Sequence, residues 1–252
     1  MENINKFERG FEVKKELPWD AKNEIIKEDL EGIRERRDYW RKSTTRTEFA
    51  RLSMAMKILN PEEELNINQD DWQDMRKSLE FLRTNQDWEN FSKQALAMKI
   101  LNPVEDMRLN NKDAWQNMGK ELKSLKGRYE TGRFFSLAAT MRIIGHAAPD
   151  QLYFDQKAQH DLEESLKTCR EIAKEKGNWE QFTEHALAAN FLYPPNKSPN
   201  LTQEDWEGMR KKLDEYRKES HWSAFAEQAV AMKILTNHKG GKIHLGRGLE
   251  IE

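Results

Sequence analysis

Phe91 to Pro103 reads FSKQALAMKILNP, and close versions of this stretch stand at four other places in the chain. Anchored on its aromatic residue, it recurs at Phe49, Phe91, Phe134, Phe182 and Phe225, at steps of 42, 43, 48 and 43 residues. Four residues after each anchor stands Ser53, Ala95, Ala138, Ala186 or Ala229. Three further on stands Met56, Met98, Met141, Ala189 or Met232. An apolar pair follows: Ile58-Leu59, Ile100-Leu101, Ile143-Ile144, Phe191-Leu192 or Ile234-Leu235. These steps put the side chains on one broad apolar face at helical period. The small residue lets a neighbouring helix come close.

A second pattern precedes most copies: Trp72, Met75, Leu79, Leu82, then Trp115, Met118, Leu122, Leu125, and later Trp206, Met209, Leu213, Tyr216. It too has the spacing of an amphipathic helix. Each unit is therefore expected to be a helix pair, a Trp-Met-Leu helix followed by a Phe-Ala-Met helix. The fourth unit departs, with Leu162, Leu166, Cys169 and Ile172 on the stripe and Gln159 in place of Trp. Its extra residues before Phe182 add about one helical turn. A fixed period of this length resembles the HEAT and armadillo class of helical repeats, and no narrower family. The resemblance implies an all-α fold: a right-handed α-solenoid of about five antiparallel helix pairs with a 42–48-residue repeat. Its units fall near 19–60, 61–102, 103–145, 146–193 and 194–236, between a tail at 1–18 and a Gly-rich tail at 237–252. Such a stack is expected to be open and roughly 40–50 Å long, with a concave surface.

The first unit's leading helix carries Ile25, Ile26, Leu30, Ile33 and Trp40 but lacks the Trp-Met-Leu pattern, as a terminal unit facing water often does. Asn60-Pro61, Asn102-Pro103 and Tyr193-Pro194 end the second helices, because the residue before proline disfavours helical backbone. Asn68 with Asp71, and Thr202 with Asp205, read as capping boxes, nearly repeated by Asn110 and Asp113. Ile67 with Trp72, and Leu201 with Trp206, occupy hydrophobic-staple positions, which gives those tryptophans a packing role. Trp88, Trp179 and Trp222 stand three residues before an anchor Phe and are expected to pack at the corner of each pair. Residues 1–18 read as a frayed polar tail, with docking of Phe7 and Phe11 onto the first unit as a cap the alternative. In the last residues, Ile243, Leu245, Leu249 and Ile251 keep a strand-like alternation among glycines. A mobile tail is the expectation there, with an extended segment pairing with a partner as the alternative.

Charged residues make up 34% of the chain but the formal net charge is only −2, so the balance demands no nucleic acid. A single cysteine, Cys169, fits a reducing compartment and lies on an apolar stripe, as a small buried hydrophobe would. The absence of a long apolar run points to a soluble, cytoplasmic protein without a membrane span. No phosphate-binding glycine loop appears, and none of the six histidines has metal-site spacing. His185 and His221 read as solvated or capping residues at the start or on the polar side of a second helix. The expectation is a protein that is not an enzyme, with no metal and no cofactor. Lys57, Lys99, Arg142 and Lys233 follow the repeated Met at one fixed position, and only Asn190 breaks the series. A cation in a helix's last turn answers the macrodipole and covers apolar surface with its stem. The series is also the candidate partner-binding ridge. The leading functional expectation is a scaffold for a protein or peptide partner; the alternative is a nucleic-acid-binding repeat using the same ridge. The irregular loop 145–159, with His146, Tyr153 and nearby His160, is where a unit-specific function could sit, with a tolerated insertion the equal alternative.

Overall fold

A computed structural model describes residues 19–43, 46–103, 112–127, 130–145, 154–193, 197, 199–239, 242–246 and 249–251. The tail with Phe7 and Phe11, the Asn110 cap, Pro194, and His146 and Tyr153 of the irregular loop lie outside the described residues. Among the described residues the body is all-α. A short helix α1 (Ala21–Glu24) is followed by α2 (Lys27–Trp40), α3 (Thr47–Leu59), α4 (Gln69–Thr84), α5 (Trp88–Leu101) and α6 (Lys112–Gly127). Then come α7 (Thr131–Gly145), α8 (Gln156–Lys176), α9 (Trp179–Leu192), α10 (Gln203–Lys218) and α11 (Trp222–Asn237). No helix among the described residues is long and apolar enough to cross a membrane.

Local signals set the ends of these helices. The Asn68 side chain accepts from the Asp71 N–H at 2.9 Å while the Asp71 carboxylate accepts from the Asn68 N–H at 3.1 Å. Thr202 and Asp205 repeat the exchange at 3.2 and 2.8 Å. Trp88, Trp179 and Trp222 meet Phe91, Phe182 and Phe225 edge to face, with ring centroids 5.6, 5.6 and 5.7 Å apart. The anchors Phe49, Phe91, Phe134, Phe182 and Phe225 and the methionines Met56, Met98, Met141 and Met232 are all buried. Cys169 is buried on its stripe, and desolvation raises its thiol pKa.

Consecutive helices pair: α2 with α3, α4 with α5, α6 with α7, α8 with α9 and α10 with α11. The second helices of these pairs also pack on one another, α3 on α5, α5 on α7, α7 on α9 and α9 on α11. The open stack expected from the sequence gives way at this point, because α11 returns to pack on α3 and α2. The five second helices form a closed inner ring, and the first helices clothe it.

The closing seam uses the same contacts as internal seams. Arg41 near the end of α2 pairs with Asp71 at 3.0 Å, donates to the Asn66 carbonyl at 2.8 Å and lies over the Phe49 ring at 5.2 Å. Arg170 of α8 pairs with Asp205 at 3.0 Å, donates to the Asn200 carbonyl at 2.7 Å and lies over Phe182 at 5.3 Å. Arg217 of α10 pairs with Asp29 at 2.7 Å, donates to the Glu24 carbonyl at 3.0 Å and lies over Phe225 at 5.3 Å. In each seam the accepting carbonyl stands five residues before the aspartate. Lys126 fills this place between α6 and α8, 3.0 Å from Asp155. A tryptophan contact recurs as well: a β-carbon on Gly208 would overlap the Trp179 ring, and one on Gly32 would overlap Trp222. Where Arg46 stands in place of tryptophan, it pairs with Asp74 of the following helix at 2.6 Å.

The first pair is therefore no end cap: α2 receives α10 and α11 as α10 receives α8 and α9. Strands β1 (His238–Lys239), β2 (Lys242–Gly246) and β3 (Leu249–Ile251) form an antiparallel sheet in that order, with Ile243 opposite Ile251, and β2 packs on α11.

Candidate functional site: the axial lumen

Five helices about 10 Å across, set at 8–10 Å spacing around a ring, leave an axial gap of about 4–7 Å. The ring contains such a space, a cavity of about 210 Å³ lined by α3, α5, α7, α9 and α11. The same register faces it in every helix. Two residues after each anchor Phe stand Arg51, Lys93, Ser136, Glu184 and Glu227. Five residues after it stand Met54, Leu96, Ala139, Leu187 and Val230, and nine after it Ile58, Ile100, Ile143, Phe191 and Ile234. Small residues at the sixth place, Ala55, Thr140, Ala188 and Ala231, keep the wall back from the axis.

The three layers differ in exposure. Ser136, Glu184 and Glu227 are exposed, Met54, Leu96 and Leu187 are half-buried, and Ile58, Ile100, Ile143 and Ile234 are buried. The space opens at the N-terminal ends of the inner helices and narrows onto isoleucine. Its wall is aliphatic and its mouth is charged.

At the mouth most charges have partners. Arg51 bridges Glu48 and Glu227, the latter across the closing seam. Glu89 holds Lys93 at 2.8 Å and Arg133 at 3.1 Å, and the Lys93 ammonium in turn keeps the Glu89 carboxyl below the usual range. Glu180 accepts from the Tyr216 hydroxyl at 2.5 Å, and burial together with this carboxylate pushes the phenol pKa far up. Glu184 differs: among the described residues no donor bonds to it. It borders the lumen at its exposed mouth, and partial desolvation there raises its pKa, with Glu180 and Glu89 adding to the rise and Lys93 and Arg51 opposing it.

The cations expected to form a ridge lie elsewhere. Lys57, Lys99, Arg142 and Lys233 sit half-buried one residue before the innermost lumen layer, turned away from the cavity. Lys99 donates to the Pro103 carbonyl at 2.6 Å, and Lys233 donates across the closing seam to the Ile58 carbonyl at the end of α3. Asn190, in the same place, is buried. His185 is not solvated: it is buried edge-on to Phe135, its Nδ1–H donates to the Gln181 carbonyl at 2.8 Å, and desolvation lowers its pKa. His221 is exposed, 3.1 Å from Glu219. No cluster of three metal-ligating side chains occurs among the described residues.

The spacing that reveals the helices also encodes the lumen. Residues two, five and nine after the anchor form one stripe on each second helix, opposite the buried Phe. The ninth-place residues Ile58, Ile100, Ile143, Phe191 and Ile234, which the spacing assigns to the anchor face, therefore belong to the opposite one, and the second- and fifth-place residues read as surface until closure makes the stripe a wall. No family model, curated protein or solved structure matches the chain.

Proposed function

We propose that this chain is a non-catalytic binding ring, built of five copies of one helix-pair unit wound right-handedly, and that its axial lumen holds the bound group. The observation that carries the reading is the lumen itself. An apolar cavity open at one end is the usual form of a ligand site, whereas protein interiors otherwise pack with few voids larger than water. An α-helix, about 10–12 Å across with its side chains, is too wide for the axial gap. The occupant is a small molecule, or a single side chain presented by a partner protein at the mouth. The partner-scaffold function expected from the repeat is kept in this second form.

Nucleic acid along Lys57, Lys99, Arg142 and Lys233 has weaker support, since Lys99 and Lys233 already serve backbone carbonyls. The test compares wild type with Ala139→Phe, which fills the lumen, after gentle purification of each from the protein's own cells with and without nuclease. A small molecule or protein that co-purifies with wild type and is lost from Ala139→Phe supports the lumen. Equal retention by both moves the site outside it, and loss on nuclease treatment favours the cation series.

A further inference from the structure

We infer that the lumen is selective for a small amphipathic monocation, an apolar body of about eight carbon atoms with an ammonium-type head seated at Glu184. The inference rests on the lumen being the binding site and adds the chemical class of its ligand.

Size comes first. An apolar cavity of about 150 Å³ accommodates one benzene, so by volume the space here suits about eight carbons. From Lys93 at the mouth to Ile100 at the floor is seven residues of helix, about 10 Å of depth. The floor and middle layers offer a hydrocarbon Ile, Leu, Met, Val, Ala and one Phe, with the Thr140 hydroxyl, while just above them the buried Thr183 and Gln228 bond to each other at 3.0 Å. A polar head left at that depth would lose its hydration without replacement. The head must stay at the mouth.

Sign comes second. The N-terminal ends of five inner helices surround the mouth, and by themselves would favour an anion. Glu48, Glu89 and Glu180 stand in the first turns of α3, α5 and α9 and answer those helix ends. Arg51 is taken by Glu48 and Glu227, and Lys93 and Arg133 by Glu89. Glu184, a turn further in and level with Arg51 and Lys93 in register, is left without a direct partner among the described residues. A carboxylate at the border of an apolar cavity, with its nearest cations already engaged, is complemented by a cation brought from outside. An ammonium head there would meet Glu184 while its body lay against Leu96, Leu187 and Phe191.

The test uses isothermal titration calorimetry on the full chain with octylammonium, 1-octanol and octanoate at neutral pH. Octylammonium is expected to bind one to one and at least about tenfold more tightly than octanol, with octanoate weakest. Glu184→Gln should bring octylammonium down to the affinity of octanol and leave octanol itself unchanged. Ala139→Phe should abolish binding of all three. Octanoate binding as well as octylammonium, or an unaltered preference in Glu184→Gln, overturns the charge assignment. If octylammonium and octanol bind equally and both are lost in Ala139→Phe, the lumen stands as the site while the cation preference falls. If none of the probes binds, or Ala139→Phe leaves binding intact, the lumen reading itself falls.

Discussion

The seams between units and the wall of the lumen use repetition in opposite ways. At the seams, one arginine, one aromatic ring, one capping aspartate and one backbone carbonyl recur with nearly the same distances at Arg41, Arg170 and Arg217. At the mouth, the equivalent residues are Arg51, Lys93, Ser136, Glu184 and Glu227, unalike in size and charge. Equal seams are what closure demands, because any difference in the angle between units accumulates around a ring. The lumen has no such demand on its mouth residues, so unit-specific chemistry can be placed there without opening the ring.

The largest effects should come from the seams. Gly208→Leu and Gly32→Leu drive a side chain into Trp179 and Trp222 respectively, and each is expected to lower stability by about 3 kcal/mol. Trp222→Ala in the Gly32→Leu background should recover part of that loss, measured by denaturant unfolding. Next, Arg170→Ala and Arg217→Ala each leave a buried aspartate, Asp205 or Asp29, without its cation, at a cost of about 3 kcal/mol. Near-equal losses mean that the closing seam is energetically an internal one. A negligible loss for Arg217→Ala alone would open the ring. In the lumen, Ala139→Phe fills existing space, so stability should move by less than about 1 kcal/mol while binding is lost.

The smallest effect is a pH dependence. Glu184 faces Lys93 and Glu89 from α5, Arg51 and Glu48 from α3, Glu227 from α11 and Glu180 on its own helix. Its folded pKa is raised, so its contribution to stability is fully present below the ordinary carboxylate value near pH 4.3 and is lost as pH rises through the raised one. The thermal midpoint of Glu184→Gln should therefore gain slightly on wild type from pH 4 to pH 7. Octylammonium affinity of the wild type should rise over the same interval as the carboxylate ionises.

Helix pairing, both capping boxes and the tryptophan corners follow from spacings within a unit, and those were legible in the sequence. Closure was not, because it depends on a small rotation between units summed five times, which no local spacing records. A trace of it is nonetheless written in the chain. Glu28 to Ile33 reads EDLEGI and Glu204 to Met209 reads EDWEGM. Taken as an atypical terminal helix, the first segment looks like a cap; matched to the second, it is a receiving surface for Arg217 and Trp222. The cation series was visible by the same regularity, but its direction was not. A residue eight places after the anchor points away from the axis and toward helix ends, where Lys99 and Lys233 find carbonyls. Glu184 had no sequence signal beyond being a glutamate on a helix; its isolation exists only once five mouths share one rim.

A ring whose seams are alike also has an order of assembly. The Arg170–Asp205 contact joins residues 35 apart, while Arg217–Asp29 joins residues 188 apart. Bringing the second pair together costs about 1.5 kcal/mol more in chain entropy, so neighbouring pairs dock first and the ring shuts last. Until then the chain is an open clasp with a donor edge at α10–α11 and an acceptor edge at α2. Each edge fits the other edge of a second molecule as well as its own. Concentrated refolding should therefore produce exchanged dimers, and the shortness of the route between a chain's own two edges is what keeps dilute chains single.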